Sequence, residues 1–300
     1  MRPDPRLLVV CAAVLWGTTG TARALGPDGA SPAAVGAARL IVGGACLVLL
    51  LARHGGSPAV PAGDRPRRGD LAVIALAAAA MAAYQPLFFG GVARTGVAVG
   101  TVVGIGSAPV FAGVLGMVVR GERPGPRWLL ATGLALAGTV LLVTAGDRDD
   151  VDVVGIALAL GAGLAYAGYV LATKLVLDRG WDPDAVTARV FGLAGLALVP
   201  VALVAGIGPL ASADGLVMIA HLGLFTVALA YVLFGRGLAG VGVAAAGTLT
   251  LAEPATAAVL GVVVVGERFG AVTVAGVALI AAGLVALVEG SGDRATRSVP

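Results

Sequence analysis

Ten times along its 300 residues the chain carries an apolar run of roughly twenty residues, each broken off by glycine, proline or charge. A run of that length is what a helix needs to cross the hydrocarbon of a bilayer, where every backbone N–H and C=O must be satisfied within the protein. The runs fall at residues 7–25, 33–52, 70–90, 96–119, 127–145, 153–177, 184–206, 213–235, 241–265 and 270–288. Breaks such as "GPDGASP", "RGERPGPR" and "LDRGWDPD" carry the turn and charge signals. Composition agrees: 12% of residues are charged and 58% hydrophobic. Soluble domains carry about 25% charged residues, so this chain lacks the polar surface to stay dissolved. The 47 glycines suit helices whose backbones pack closely in lipid. Met1 to Ala24 has the charged start and apolar run of a signal peptide, but similar runs recur throughout, so it reads as the first membrane helix.

The basic residues test this count independently. With the N-terminus inside, 14 of the 20 arginines and lysines fall on cytoplasmic segments. The 4 on outer segments are Arg23, Arg94, Arg148 and Arg268, while Arg39 and Arg189 lie at helix starts. That bias obeys the positive-inside rule and places the acidic loop "GDRDDVD" outside. Losing or adding one span would scramble it. The expectation is a multi-pass protein of the cell membrane, ten spans, with both termini cytoplasmic.

The chain also repeats itself. "SAPVFAGVLGMVVRGERP" resembles "LAEPATAAVLGVVVVGERF" at a constant offset, so that Pro109 meets Pro254 and Gly121-Glu122-Arg123 meets Gly266-Glu267-Arg268. Further on, Gly138 meets Gly283. Near the start of each half, Trp16 pairs with Tyr166 and Arg39 with Arg189. Two five-helix units in tandem follow: residues 1–146 and 147–290, with 291–300 as a cytoplasmic tail. Five is odd, so the second unit crosses the membrane in the opposite sense. Inverted repeats of this kind are common in transporters, whose substrate sites lie between the repeats near the midplane.

These features carry a resemblance. "LWGTTG" (Leu15–Gly20), "SAPVFAGVLGMVVRGERP" (Ser107–Pro124), "TVALAYVLFGRGLAG" (Thr226–Gly240) and "LAEPATAAVLGVVVVGE" (Leu251–Glu267) resemble the drug/metabolite transporter superfamily, specifically its EamA-type ten-helix members. The resemblance covers nearly the whole chain. It implies an all-α polytopic fold of two inverted five-helix repeats. It also implies secondary active transport of an amino acid, an amine or a drug-like solute, with export coupled to protons as the expected mode.

Glu253 stands out because it is a lone carboxylate in an apolar run, with no basic residue between Arg236 and Arg268. A charge at a helix centre costs on the order of 2.5–3.5 kcal/mol on insertion scales, so an acid kept there is a candidate for binding a proton or a substrate amine. Its repeat partner is Ala108, so the fold does not need it. The structural alternative is a Glu253 carboxyl bonded to the carbonyl that Pro254 frees. Arg39 could bind a substrate carboxylate, although its repeat partner Arg189 favours interface snorkelling for both. His221 is a candidate proton shuttle or a packing histidine. Trp16, Thr18, Thr19, Tyr84, Gln85, Tyr166, Tyr169 and Tyr231 are polar or amphipathic groups that could line a cavity, with Trp16 and Tyr166 foremost. Glu122 and Glu267 read as surface ion pairs at helix ends.

Other chemistries find little support. "GRGLAG" (Gly235–Gly240) matches a dinucleotide fingerprint but follows no strand, and no P-loop is present. "DGASPAAVGAAR" lacks the spacing and later aspartates of a lipid synthase. Cys11 and Cys46 fall inside apolar runs, without disulfide or metal-ligand spacing. No catalytic residue, metal or cofactor is expected, and no nucleic-acid partner. A small-molecule substrate and the lipid bilayer are the expected partners, and oligomeric state is unassigned. A non-transporting membrane sensor or interaction protein is the alternative, and a lipid enzyme a more distant one.

Overall fold

A computed structural model describes residues 3–53, 68–144, 152–264 and 270–289 of the chain. Every regular element among them is helical: α1 (Pro5–Ala24), α2 (Pro32–Arg53), α3 (Arg68–Arg120), α4 (Pro126–Thr144), α5 (Val153–Leu177), α6 (Pro183–Ala197), α7 (Val199–Ala205), α8 (Ala213–His221), α9 (Ala230–Gly240), α10 (Val243–Leu249), α11 (Ala252–Val263) and α12 (Ala271–Glu289). The loops "RHGGSPAVPAGDRPRRGD" and "GDRDDVD" lie largely outside the described residues, and the second Gly-Glu-Arg motif and the tail lie wholly outside them. Short side chains start several helices. Asp4, Asp152, Asp182 and Ser212 each accept a backbone N–H one or two residues into the helix that follows, satisfying a donor the helix cannot use itself.

Eight described helical segments are long and apolar enough to cross a membrane, and α4 and α12 add two shorter apolar segments. These are the ten expected spans, with four refinements. Spans three and four form one helical run, α3, of 53 residues. A straight helix would separate Val92 from Gly100 by about 12 Å. Instead a Cβ placed on Gly100 would lie 2.7 Å from the Cα of Val92, so the chain turns back there. Span seven is divided at Leu198 between α6 and α7. Span eight runs from Ala213 to Gly240 and passes through a π-helical segment, Leu222–Leu229, between α8 and α9. Span nine breaks at Thr250-Leu251, between α10 and α11.

The two halves interlock by the same rule. The first helix of the first half, α1, packs against α9 and α11 of the second. The first helix of the second half, α5, packs against α3 of the first. The α4–α12 pair shows the inversion directly. Gly138 abuts Gly276 and Ile280, while its repeat partner Gly283 abuts Ala131 and Ala135, so the helices run antiparallel through matching close approaches. Charges gather at two poles. Arg94 pairs with Asp152 at one; Arg120, Asp178, Arg236 and their partners mark the other. Pro5 packs on Gly237 and Gly240, so α1 starts at the Arg120 pole. The antiparallel α4–α12 pairing brings the end of α12 to the same pole. That fits an even number of crossings.

Candidate functional site

Glu253 stands ten residues from each end of the span Val243–Val263. At 1.5 Å per residue that is about 15 Å from either end, half the hydrocarbon thickness. The helix is interrupted just there. Pro254 has no N–H, which frees the Thr250 carbonyl. Glu253 fills it with its own backbone N–H at 3.0 Å, and the Leu251 N–H bonds the Thr248 carbonyl at 3.1 Å. The Thr250 hydroxyl donates to Gly247 O at 2.7 Å, and the Thr256 hydroxyl to Ala252 O at 2.9 Å. The break therefore satisfies its own backbone. The carboxyl of Glu253 is not needed for that purpose, and among the described residues it makes no hydrogen bond or ion pair. It projects from the first turn of α11, where the helix dipole favours negative charge.

The helix carrying Glu253 is held close to α1 by Gly17. A Cβ on Gly17 would lie 2.6 Å from the Thr256 Cβ and 2.8 Å from the Glu253 carbonyl oxygen. Both atoms are too close to tolerate it. Gly17→Val is therefore expected to push α11 away from α1, lower the thermal midpoint in detergent by the equivalent of about 1–3 kcal/mol, and reduce transport.

Around this point six of the singled-out residues converge. Arg39 of α2 lies near Glu253, as do Tyr84, Tyr166 and Tyr231. The Trp16 ring centroid lies 4.8 Å from Tyr231 and 6.3 Å from Tyr166, and Tyr84 is 6.1 Å from Tyr166. Tyr169 joins them, 5.9 Å from both Tyr166 and Tyr231. Phe191 and Phe234, which the sequence reading passed over as ordinary apolar residues, complete the cluster at 4.1 Å from Tyr231 and 5.4 Å from Trp16.

Within and beside this aromatic body, polar atoms lie buried without a partner among the described residues. They are Trp16 Nε1, Thr19 Oγ1, Arg39 Nε, both amide atoms of Gln85 and the Tyr166 hydroxyl. More than 90% of buried backbone groups, and most buried side-chain polar atoms, are hydrogen-bonded. Unpaired donors gathered beside an unpaired carboxylate are what a polar ligand would satisfy.

The repeat partners Arg39 and Arg189 part ways. Arg189 donates to the Ala185 carbonyl at 2.9 Å and lies over the Trp181 ring, 5.6 Å from its centroid. Arg39 has no matching contact among the described residues, and its Nε is buried without a partner. His221 stands apart from the cluster. Its Nε2 shares a hydrogen bond with the Thr18 hydroxyl at 2.9 Å, and its ring stacks on Phe225. It lines a pocket of about 380 Å³ with Thr18, Thr21, Leu25, Asp214, Met218 and Leu260, towards the Arg94 pole. Glu122 is no surface residue: its side chain is only 18% exposed and reaches into the second half of the chain. Glu267, the matching glutamate, lies outside the described residues.

Comparison with known proteins agrees with this architecture. Residues 6–144 and 153–288 each match the model of the EamA-like transporter family. Uncharacterized transporter YwfM of Bacillus subtilis (strain 168) is 42% identical over 285 residues, covering 94% of this chain and 92% of that protein. A probable terminal-alkyne amino-acid exporter of Streptantibioticus cattleyicolor is 30% identical over 285 residues, covering 91% of each. A solved crystal structure superposes with a TM-score of 0.83 at 19% identity, covering 99% of this chain and 100% of that one, a likeness of fold.

Proposed function

This chain belongs to the EamA-like transporter family, a membrane transporter by family and fold, and on that premise we propose that it moves a small zwitterionic metabolite of the amino-acid type across the cell membrane. The observation that carries the substrate class is the proximity of Glu253 and Arg39, which form no ion pair with each other. One acidic and one basic side chain lie near each other within membrane spans, Glu253 without a hydrogen bond or ion pair among the described residues and Arg39 with its Nε buried and unpartnered. A substrate amine would be held by Glu253 and its carboxylate by Arg39. Trp16 Nε1, Gln85 and the Tyr166 hydroxyl would supply further hydrogen bonds, and Tyr84, Tyr231 and Thr19 would complete the lining. A relative named as a probable amino-acid exporter supports the same class.

Transport then proceeds by alternating access, the units 1–146 and 147–290 rocking about this point. We take the direction as export and the energy source as a proton exchanged at Glu253, with His221 relaying it from the pocket at the Arg94 pole. Both chain ends are taken as cytoplasmic on the basis of the arginine bias.

The test is flux in proteoliposomes under an imposed pH gradient, with three matched sets of solutes: zwitterionic amino acids, the corresponding amines, and the corresponding carboxylates. Zwitterions are expected to move saturably and faster with the gradient than without it. Saturable binding of every set with no flux would replace the transporter with a sensor.

A further inference from the structure

The pole opposite the His221 pocket carries a network of charges that the transport site does not use. The chain leaves α3 through a Schellman turn: the Gly121 N–H bonds Met117 O at 3.1 Å and the Glu122 N–H bonds Gly116 O at 3.0 Å. Gly121 adopts φ 65°, a left-handed conformation that glycine takes without strain. This turn aims the Glu122 carboxylate across the boundary between the two halves. There it accepts the backbone N–H groups of Val243 at 3.0 Å and Ala244 at 3.3 Å, the first two residues of α10. Arg120 Nε donates to the same carboxylate at 2.9 Å, and the Arg120 guanidinium also pairs with Asp178 beyond the end of α5. Lys174 pairs with Asp178 at 3.0 Å and donates to the Ala239 carbonyl near the end of α9, also at 3.0 Å.

One chain of contacts thus ties together the ends of α3, α5 and α9 and the start of α10. Much of it is shielded from solvent, with the side chains of Lys174, Glu122 and Arg120 at 7%, 18% and 20% exposure. Burial pushes the Asp178 carboxyl up, and the hydrogen bonds from Lys174 and Arg120 outweigh it, holding it below the ordinary carboxylate range. It is charged at neutral pH.

We propose that Glu122 is the latch of the Arg120 pole, a positioning residue that grips the start of α10 and so holds shut the half-helix leading into the Glu253 break. The site can open to this side only when α10 is released from Glu122. While the grip holds, access runs through the pocket at the Arg94 pole. This rests on the alternating-access reading above, and the experiment separates the two.

The full chain is reconstituted in a Cys11→Ser, Cys46→Ser background, with one reporter cysteine at a time. Thr21→Cys lies in the pocket at the Arg94 pole; Ala246→Cys lies one turn inside α10, where Ala246 is fully buried. With Glu122 intact, a membrane-impermeant thiol reagent is expected to label position 21 and spare position 246. Glu122→Gln keeps the shape but not the charge that Arg120 pairs with. It is expected to raise labelling at 246 by at least about tenfold, the shift that 1.4 kcal/mol produces, and to lower it at 21. Asp178→Asn, which removes the anchor of Arg120 and so weakens its hold on the Glu122 carboxylate, is expected to move both sites in the same directions by a smaller factor, and it carries the test should Glu122→Gln fail to insert.

Unchanged labelling at 246 in both variants overturns the latch, as does a rise at both positions together, which marks general loosening. Reciprocal labelling with no flux of any solute supports the latch and removes the transporter reading. Flux with no reciprocal change removes the latch alone.

Discussion

Glu253→Gln is expected to leave the protein in the membrane and to reduce pH-driven flux to the level of empty liposomes. The backbone around residue 253 is satisfied by Glu253 N–H to Thr250 O and by the threonine hydroxyls, none of which involves the carboxylate. Glutamine preserves the side-chain volume and removes the acid. A neutral group at a helix centre is also cheaper to insert than an acid. Folding and insertion should therefore be unaffected, which a size-exclusion profile and thermal midpoint check. What the substitution takes away is the one carboxylate among the described residues at the break, the proposed carrier of the proton or amine. The matching position in the other repeat, Ala108, offers no substitute. Undiminished gradient-driven transport by this variant would remove Glu253 from the mechanism.

That expectation was legible in the sequence because charge in an apolar run is rare and costly. The same contrast made the ten spans and the inverted repeat legible: apolar runs of membrane length, a charge bias that alternates with them, and two motifs in register. Where the reading fell short, the cause was packing that composition does not encode. The turn between Val92 and Gly100 is legible, since the spans 70–90 and 96–119 separate around Arg94, but its course is not, because hydrogen bonding stays helical through it. The π-helical segment Leu222–Leu229 has no sequence mark among its apolar residues.

Site residues divide along the same line. Trp16, Tyr166 and Tyr231 are aromatics in helices otherwise made of small aliphatic residues, and they converge. Phe191 and Phe234 belong to the same cluster and were passed over, having no polar atom to attract notice. Repeat symmetry matches Arg39 with Arg189, and the local contacts differ: Arg189 has Trp181 and the Ala185 carbonyl, while the Nε of Arg39 is buried without a partner among the described residues. Glu122 was misjudged because its partners, Val243 and Ala244, are 121 and 122 residues away. A cap made across the chain leaves no local signal.

Arg39→Gln is expected to change which solutes are transported. The Arg39 Nε is buried with no partner among the described residues, and the side chain lies near Tyr84, Tyr231 and Glu253. A hydrogen bond to a charged group contributes about 1.5–3 kcal/mol, which corresponds to roughly tenfold to 150-fold in affinity. Losing it should raise KM by that factor for zwitterions and carboxylates, whose carboxylate the guanidinium would hold. Amines, which need Glu253 alone, should keep their KM. A purely structural arginine would behave otherwise: its removal would lower stability and depress transport of all three sets in proportion. Arg39→Lys separates the cases further. Lysine keeps the charge but not the planar fork that grips a carboxylate with two parallel N–H groups, so it should recover part of the zwitterion affinity and none of the geometric preference between carboxylate and amine solutes. Equal losses for amines and zwitterions in Arg39→Gln would mean that Arg39 positions the helix and does not touch the solute, and the zwitterion assignment would fall with it.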